Sequence, residues 1–166
     1  MTPKHGAQRG TADPAQLDRQ REIVAALGEL LPQHSILWRT EDTRPYECDG
    51  LMLHRQLPMI VVLPETELEV AQVLRLCHAR GVPVVPRGAG TGLSGGALPR
   101  GDGVLLSLAK LNRIIEVDPR ARTATVQPGV RNLAISEAAA RYGLYYAPDP
   151  SSQIACTIGG NVAENS

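Results

Sequence analysis

The sequence has no net charge, because 17 Lys and Arg residues balance 17 Asp and Glu. It also has no basic run, which argues against a nucleic-acid-binding arm. A charged ligand must then be held by local geometry, such as backbone N–H groups. Long apolar runs are missing too. The longest, Met59–Leu63, falls far short of the roughly 20 residues needed to cross a bilayer. The opening residues, MTPKHGAQRGTADP, lack the apolar stretch of a signal sequence. The expectation is a cytoplasmic protein with no membrane span, any membrane attachment running through a partner. Cys48, Cys77 and Cys156 are odd in number and share no metal-ligand spacing. They read as reduced thiols, and no metal site is expected.

What is present suits one globular core: 166 residues, 43% hydrophobic and 20% charged. The 16 glycines and 13 prolines imply many tight turns. Residues 1–12 read as a loose tail. Asp13-Pro14-Ala15-Gln16 then predicts a helix, with Asp as N-cap, Pro at the first position and Gln closing a capping box. Leu17, Ile23, Val24, Leu27, Leu30 and Leu31 give it an apolar face before Pro32. From Trp38 to Gly50 periodicity stops, as in a linker or surface segment. Met59–Leu63 reads as a buried strand. Thr66-Glu-Leu-Glu69 is a capping box opening a helix that Gly81 and Pro83 stop, and Val82–Val85 reads as the next strand. Together these predict a right-handed βαβ unit. Val104–Leu108, Arg113–Val117 and Thr123–Gln127 are further strand candidates, the last two a hairpin turned by Asp118-Pro119-Arg120-Ala121. A helix is expected from about Val130 to Arg141, and 144–166 reads as a ligand-contacting loop. The fold class is α/β (α+β).

The stretch with chemical content is Pro86-Arg-Gly-Ala-Gly-Thr-Gly-Leu-Ser-Gly-Gly96. Five glycines in nine positions let the backbone take positive φ and approach a ligand without a Cβ in the way. Successive N–H groups in such a loop form a nest for an anion, and Thr91 and Ser94 add hydroxyl donors. Arg87 either offsets charge or anchors the loop. Gly90-Thr-Gly-Leu-Ser-Gly95 matches GxGxxG, but a Rossmann fingerprint opens a helix. The following Ala97-Leu-Pro-Arg-Gly-Asp-Gly103 is too rich in Pro and Gly for that. No Gly-Lys-Ser/Thr follows either, so it is not a P-loop. A plain strand connection would explain a lone GxGxxG; this density of glycine, with two hydroxyls and an arginine, favours phosphate binding.

Val82-Pro-Val-Val-Pro-Arg-Gly-Ala-Gly-Thr-Gly-Leu-Ser-Gly-Gly-Ala-Leu98 resembles the FAD pyrophosphate loop of the vanillyl-alcohol-oxidase/PCMH flavoproteins. Within that superfamily the resemblance is to the FAD subunit of bacterial glycolate oxidase and to FAD-linked D-lactate and D-2-hydroxyglutarate dehydrogenases. It runs from Tyr46-Glu-Cys-Asp-Gly50 through Gln127-Pro-Gly-Val-Arg-Asn132, Tyr146-Ala-Pro-Asp-Pro-Ser-Ser-Gln153 and Thr157-Ile-Gly-Gly-Asn161. It implies a tail and helical segment over 1–45, and over 46–166 the N-terminal part of an FAD-binding PCMH-type domain, incomplete at its C-terminus. Arg87, Gly88, Ala89, Gly90, Thr91, Gly92, Leu93, Ser94, Gly95 and Gly96 would wrap the pyrophosphate. Pro128 and Gly129 would lie at the adenosine end, and Asp149, Ser151 and Ser152 on the flavin side. Thr157, Gly159, Gly160 and Ala163 would make a second contact near the ribityl and phosphate groups. Residues 86–96 hold neither histidine nor cysteine, and Cys156 beside the second loop is not read as a flavin link, so the FAD is expected to be noncovalent.

The resemblance implies an oxidoreductase taking a small D-2-hydroxy acid, glycolate or D-lactate, to the 2-oxo acid. Its partners would be further oxidase subunits, including an iron–sulfur subunit, with peripheral attachment to the inner membrane through them. Within these residues there is no base with an orienting partner, no HxH pair and no paired carboxylates, so no catalytic residue is assigned. A non-catalytic nucleotide-binding or subunit-docking module remains the alternative.

Overall fold

A computed structural model describes residues 13–148 and 150–165. Helix α1 (Pro14–Gly28) starts as expected, the Asp13 side chain accepting from the Ala15 N–H at 3.1 Å. Gln16 does not close a capping box; its amide donates to the Gly101 carbonyl at 3.0 Å. The helix stops at Gly28, earlier than Pro32 suggests, and Leu31 is carried into the core by the turn that follows. The segment read as linker holds more structure than expected. Just before it, Ile36–Leu37 forms β1, and Thr40–Thr43 is a short helix, α2, continued by a 3-10 turn over Arg44–Tyr46.

Four strands build the main sheet: β1, β2 (Ile60–Val62), β3 (Val84–Arg87) and β4 (Val104–Ser107), in the order β1-β2-β4-β3. β2 and β3 both run parallel to β4, and β1 is antiparallel to β2. The expected strand–helix–strand unit is present through α3 (Glu67–Ala79), but its two strands are not neighbours, because β4 lies between them. Burial explains the order. All four residues of β4 are buried, whereas β3 is only partly covered and contains Pro86, which has no N–H to give a ladder and suits an edge.

Alternation along the strands puts Ile60, Val62, Val104 and Leu106 on one face, packed with Ile23 and Leu27 of α1 and Val73 and Cys77 of α3. Val61 and Leu105 alternate to the other face and are equally inaccessible. Full burial of one such aliphatic side chain is worth about 1.5–3 kcal/mol, so this double covering fixes the sheet. The α3 capping box is realised in both directions: the Glu69 N–H donates to Thr66 Oγ1 at 3.2 Å and the Thr66 N–H to Glu69 Oε2 at 3.1 Å.

Strands β5 (Ile114–Asp118) and β6 (Thr123–Val126) form the expected antiparallel hairpin, with a bulge between Ile114 and Glu116. Asp118 Oδ1 accepts from the Arg120 and Ala121 N–H groups to make the turn. Helix α4 (Asn132–Ala139) runs into a 3-10 turn ending at Gly143, φ +69°. The stretch after 144 is not all loop. Ile158–Glu164 forms helix α5. Two adjacent glycines hide it from propensity, but Val130 and Pro128 carbonyls accept from the Ile158 and Gly159 N–H groups, both at 2.9 Å, and hold its first turn. A Cβ on Gly159 would sit 2.8 Å from Pro128 Cβ, so only glycine permits this approach.

Candidate functional site

β3 delivers the chain at Arg87 to the sheet edge, where the glycine segment leaves the ladder. No helix begins between Gly88 and Pro99, so the GxGxxG spacing here belongs to a loop, as its Pro and Gly content predicts. Gly90 and Gly95 have φ of +73° and +79°, the left-handed region that penalises a Cβ. Among the described residues, no backbone N–H from Ala89 to Ala97 donates to a protein acceptor. Such a row of unused donors is a ready anion nest.

Facing this loop is the start of α5. Together they enclose a cavity of about 590 Å³, within the size range of cofactor pockets. On the loop side the wall contains Arg87, Gly88, Ala89, Gly90, Thr91, Gly92, Leu93 and Gly96. Opposite stand Pro128, Ser151, Ser152, Thr157, Gly159, Gly160 and Ala163. Four separated motifs of the sequence are thus brought to one place. Ser94 and Gly95 lie exposed on the loop, outside the lining. Gly129 lies behind the wall, its N–H donating to the Leu111 carbonyl at 2.7 Å. Asp149 lies outside the described residues.

Thr157 is the informative member. An N-cap threonine ordinarily turns its hydroxyl onto the N–H groups of the first turn. Thr157 makes no such cap; its Oγ1 is buried without a hydrogen-bond partner and faces Gly88, where it occupies the space a Cβ would need. A buried, unmade hydroxyl bond costs about 1–3 kcal/mol unless an acceptor arrives.

Charge in the cavity is sparse. Arg87 is half-buried, and burial pulls its guanidinium below the ordinary arginine value, against the opposing influence of Cys48, Tyr46 and Asp49. Its Nη1 donates to the carbonyls of Cys48 at 2.8 Å and Ala97 at 3.3 Å. Of the two roles open to it, anchoring is the one its hydrogen bonds display.

Sequence reasoning missed Cys156, Asn161 and Glu164 as lining residues. Glu164 faces the loop, its Oε1 3.0 Å from where a Cβ on Gly96 would lie. Helical spacing is the signal that would have found it: Gly160, Ala163 and Glu164 share one face once 158–164 is read as a helix.

A protein-family model described as an FAD binding domain matches residues 58–166. The chain belongs to this FAD-binding family. Glycolate oxidase subunit GlcD of Escherichia coli is 59% identical over 86% of the chain, and that of Bacillus subtilis 43% over 73%. The D-lactate dehydrogenase of Anaerostipes hadrus is 36% identical over 87%. The chain spans 29%, 26% and 30% of these curated relatives. Among solved structures, an alkyldihydroxyacetonephosphate synthase superposes with a TM-score of 0.77 at 24% identity, over 88% of this chain and 32% of that one. The 4-ethylphenol oxidase of Gulosibacter chungangensis does so at 0.75 and 22%, over 93% and 29%. These likenesses show the vanillyl-alcohol-oxidase/PCMH fold.

FAD is the family's cofactor, and the residues present fit it. The unused amides from Ala89 to Ala97 and the orphaned Thr157 hydroxyl are donors suited to the pyrophosphate. The absent side chain at Gly92 leaves room for it, while Thr157 and Arg87 fill the space beside Gly88 and Gly90.

Proposed function

We propose that this chain holds FAD noncovalently, the pyrophosphate lying between the 88–96 loop and the start of α5, as part of an enzyme that oxidises a small D-2-hydroxy acid. The observation that carries the reading is the buried Thr157 hydroxyl, unbonded and turned toward the glycine loop. When bound, the flavin supplies a hydride acceptor for the α-carbon of the acid. The chain's own residues bind and orient. The loop amides and Thr157 donate to phosphate oxygens, and Ser151 and Ser152 stand on the flavin side. No residue among these 166 is assigned the hydroxyl proton or the acid's carboxylate; that work falls to other parts of the enzyme.

The substrate class, glycolate or D-lactate, and the partners, further oxidase subunits including an iron–sulfur subunit, follow from the likeness to the glycolate oxidase subunits and D-lactate dehydrogenase. We place the protein in the cytoplasm, touching the inner membrane only through such subunits; no helix among the described residues is long and apolar enough to cross a membrane. The test reconstitutes the 166-residue chain with FAD and measures retained flavin and dye-linked turnover of both acids. Retained flavin without turnover is the expected result. A colourless protein overturns the cofactor reading, and brisk turnover shows that these residues handle the acid as well.

A further inference from the structure

Residues 46–50 precede the matched family region, which starts at residue 58, yet they lie directly against the glycine loop. The Gly50 N–H donates to the Gly92 carbonyl at 3.1 Å. A Cβ on Gly50 would lie 2.5 Å from the Thr91 carbonyl oxygen, so the two backbones meet where only glycine fits. Arg87 completes the contact from below. Its guanidinium fills the space beside Gly90 that a Cβ would occupy, and its Cζ stands 5.9 Å from the centre of the Tyr46 ring. Its Nη1 joins Cys48 on one side to Ala97 on the other. One side chain, rooted where the loop begins, therefore touches its middle at Gly90 and its end at Ala97, and ties both to the 46–50 segment.

Arg87 forms no ion pair with any described carboxylate, although Asp49 is buried nearby with its Oδ2 unbonded. Neutralising the guanidinium is therefore not its main use of hydrogen bonds; both Nη1 contacts go to backbone carbonyls. The flat guanidinium lies against Gly90 while its Nη1 serves both carbonyls, and a lysine ammonium has no such plane to lay there.

We infer that Tyr46–Gly50 and Arg87 form a brace that sets the glycine loop in its ligand-holding shape, with Arg87 a positioning residue rather than a phosphate ligand. The inference rests on the proposed FAD reading for its ligand, but the ordering of the loop is testable without it.

The test compares Arg87→Lys, which keeps the charge and loses the planar guanidinium, and Gly50→Ala with the unaltered protein. Amide hydrogen exchange and FAD titration are the two readouts. In Arg87→Lys the Gly50 amide is expected to exchange about tenfold faster, while the Val104–Leu106 amides keep their protection. A global loss of stability would instead move both. FAD should bind about tenfold more weakly to each variant that folds. Unchanged Gly50 exchange in Arg87→Lys overturns the brace, as does unweakened FAD binding, which would make charge alone the requirement. If the unaltered protein takes up no FAD, the cofactor reading fails, and the exchange result still decides whether the brace orders the loop.

Discussion

The Thr157 hydroxyl lies against Gly88, in the space where any larger residue would put its Cβ. The contact joins the two halves of the cavity, since Gly88 opens the glycine loop and Thr157 immediately precedes α5. It also leaves a buried donor unsatisfied.

Thr157→Val tests what that donor is for. The replacement keeps the shape and removes the unbonded hydroxyl, so thermal stability without ligand should stay level or rise slightly. FAD affinity should fall about tenfold, the worth of one hydrogen bond to a charged oxygen. Calorimetric unfolding and flavin titration separate the two effects. Lower stability with undiminished affinity would make Thr157 structural.

Gly90 and Gly92 should separate in the same way. An Ala at position 90 meets both positive φ and the Arg87 guanidinium, and about 1–3 kcal/mol of stability should be lost. At position 92 the nearest neighbour of an added Cβ is Glu164 at 3.8 Å, an ordinary contact. Gly92→Ala should therefore unfold like the unaltered protein and still bind FAD more weakly. Equal melting temperatures for both variants would contradict the assigned backbone.

The α3 capping box supplies a control far from the cavity. Thr66→Ala removes the acceptor of the Glu69 N–H and should cost about 1 kcal/mol in chemical denaturation. No α3 residue lines the cavity, so FAD affinity should not change. A linked loss of affinity would show that the helix and the site are coupled.

Local chemistry explains which parts were legible in the sequence. Asp13-Pro14, Thr66…Glu69 and the Asp118 turn each carry their own local signal, and both helices start and the hairpin turns where expected. The loop character of 88–96 was readable because the following Pro and Gly exclude a helix. β1 was not readable, because a two-residue strand has no period and exists only through its pairing with Val61 and Val62. α5 was hidden by Gly159 and Gly160, whose helical cost is offset by carbonyls of Pro128 and Val130 distant in sequence. The insertion of β4 between β2 and β3 was signalled by Pro86, a residue suited to an edge, but proximity along the chain pointed to neighbours. The anchoring role of Arg87 depends on Tyr46 and Cys48, about forty positions away, and no local pattern records such a contact.

On the proposed function, the cavity grips the pyrophosphate of FAD. The most direct test is calorimetric titration of the flavin-free protein with FAD and, separately, with riboflavin, which has the ring but neither phosphate nor adenosine. Two or more hydrogen bonds to a charged group are worth about 3 kcal/mol, so FAD should saturate the protein about 100-fold more tightly than riboflavin. Equal affinity for the two, or no binding of FAD, would contradict the assignment of the loop and Thr157 to the pyrophosphate.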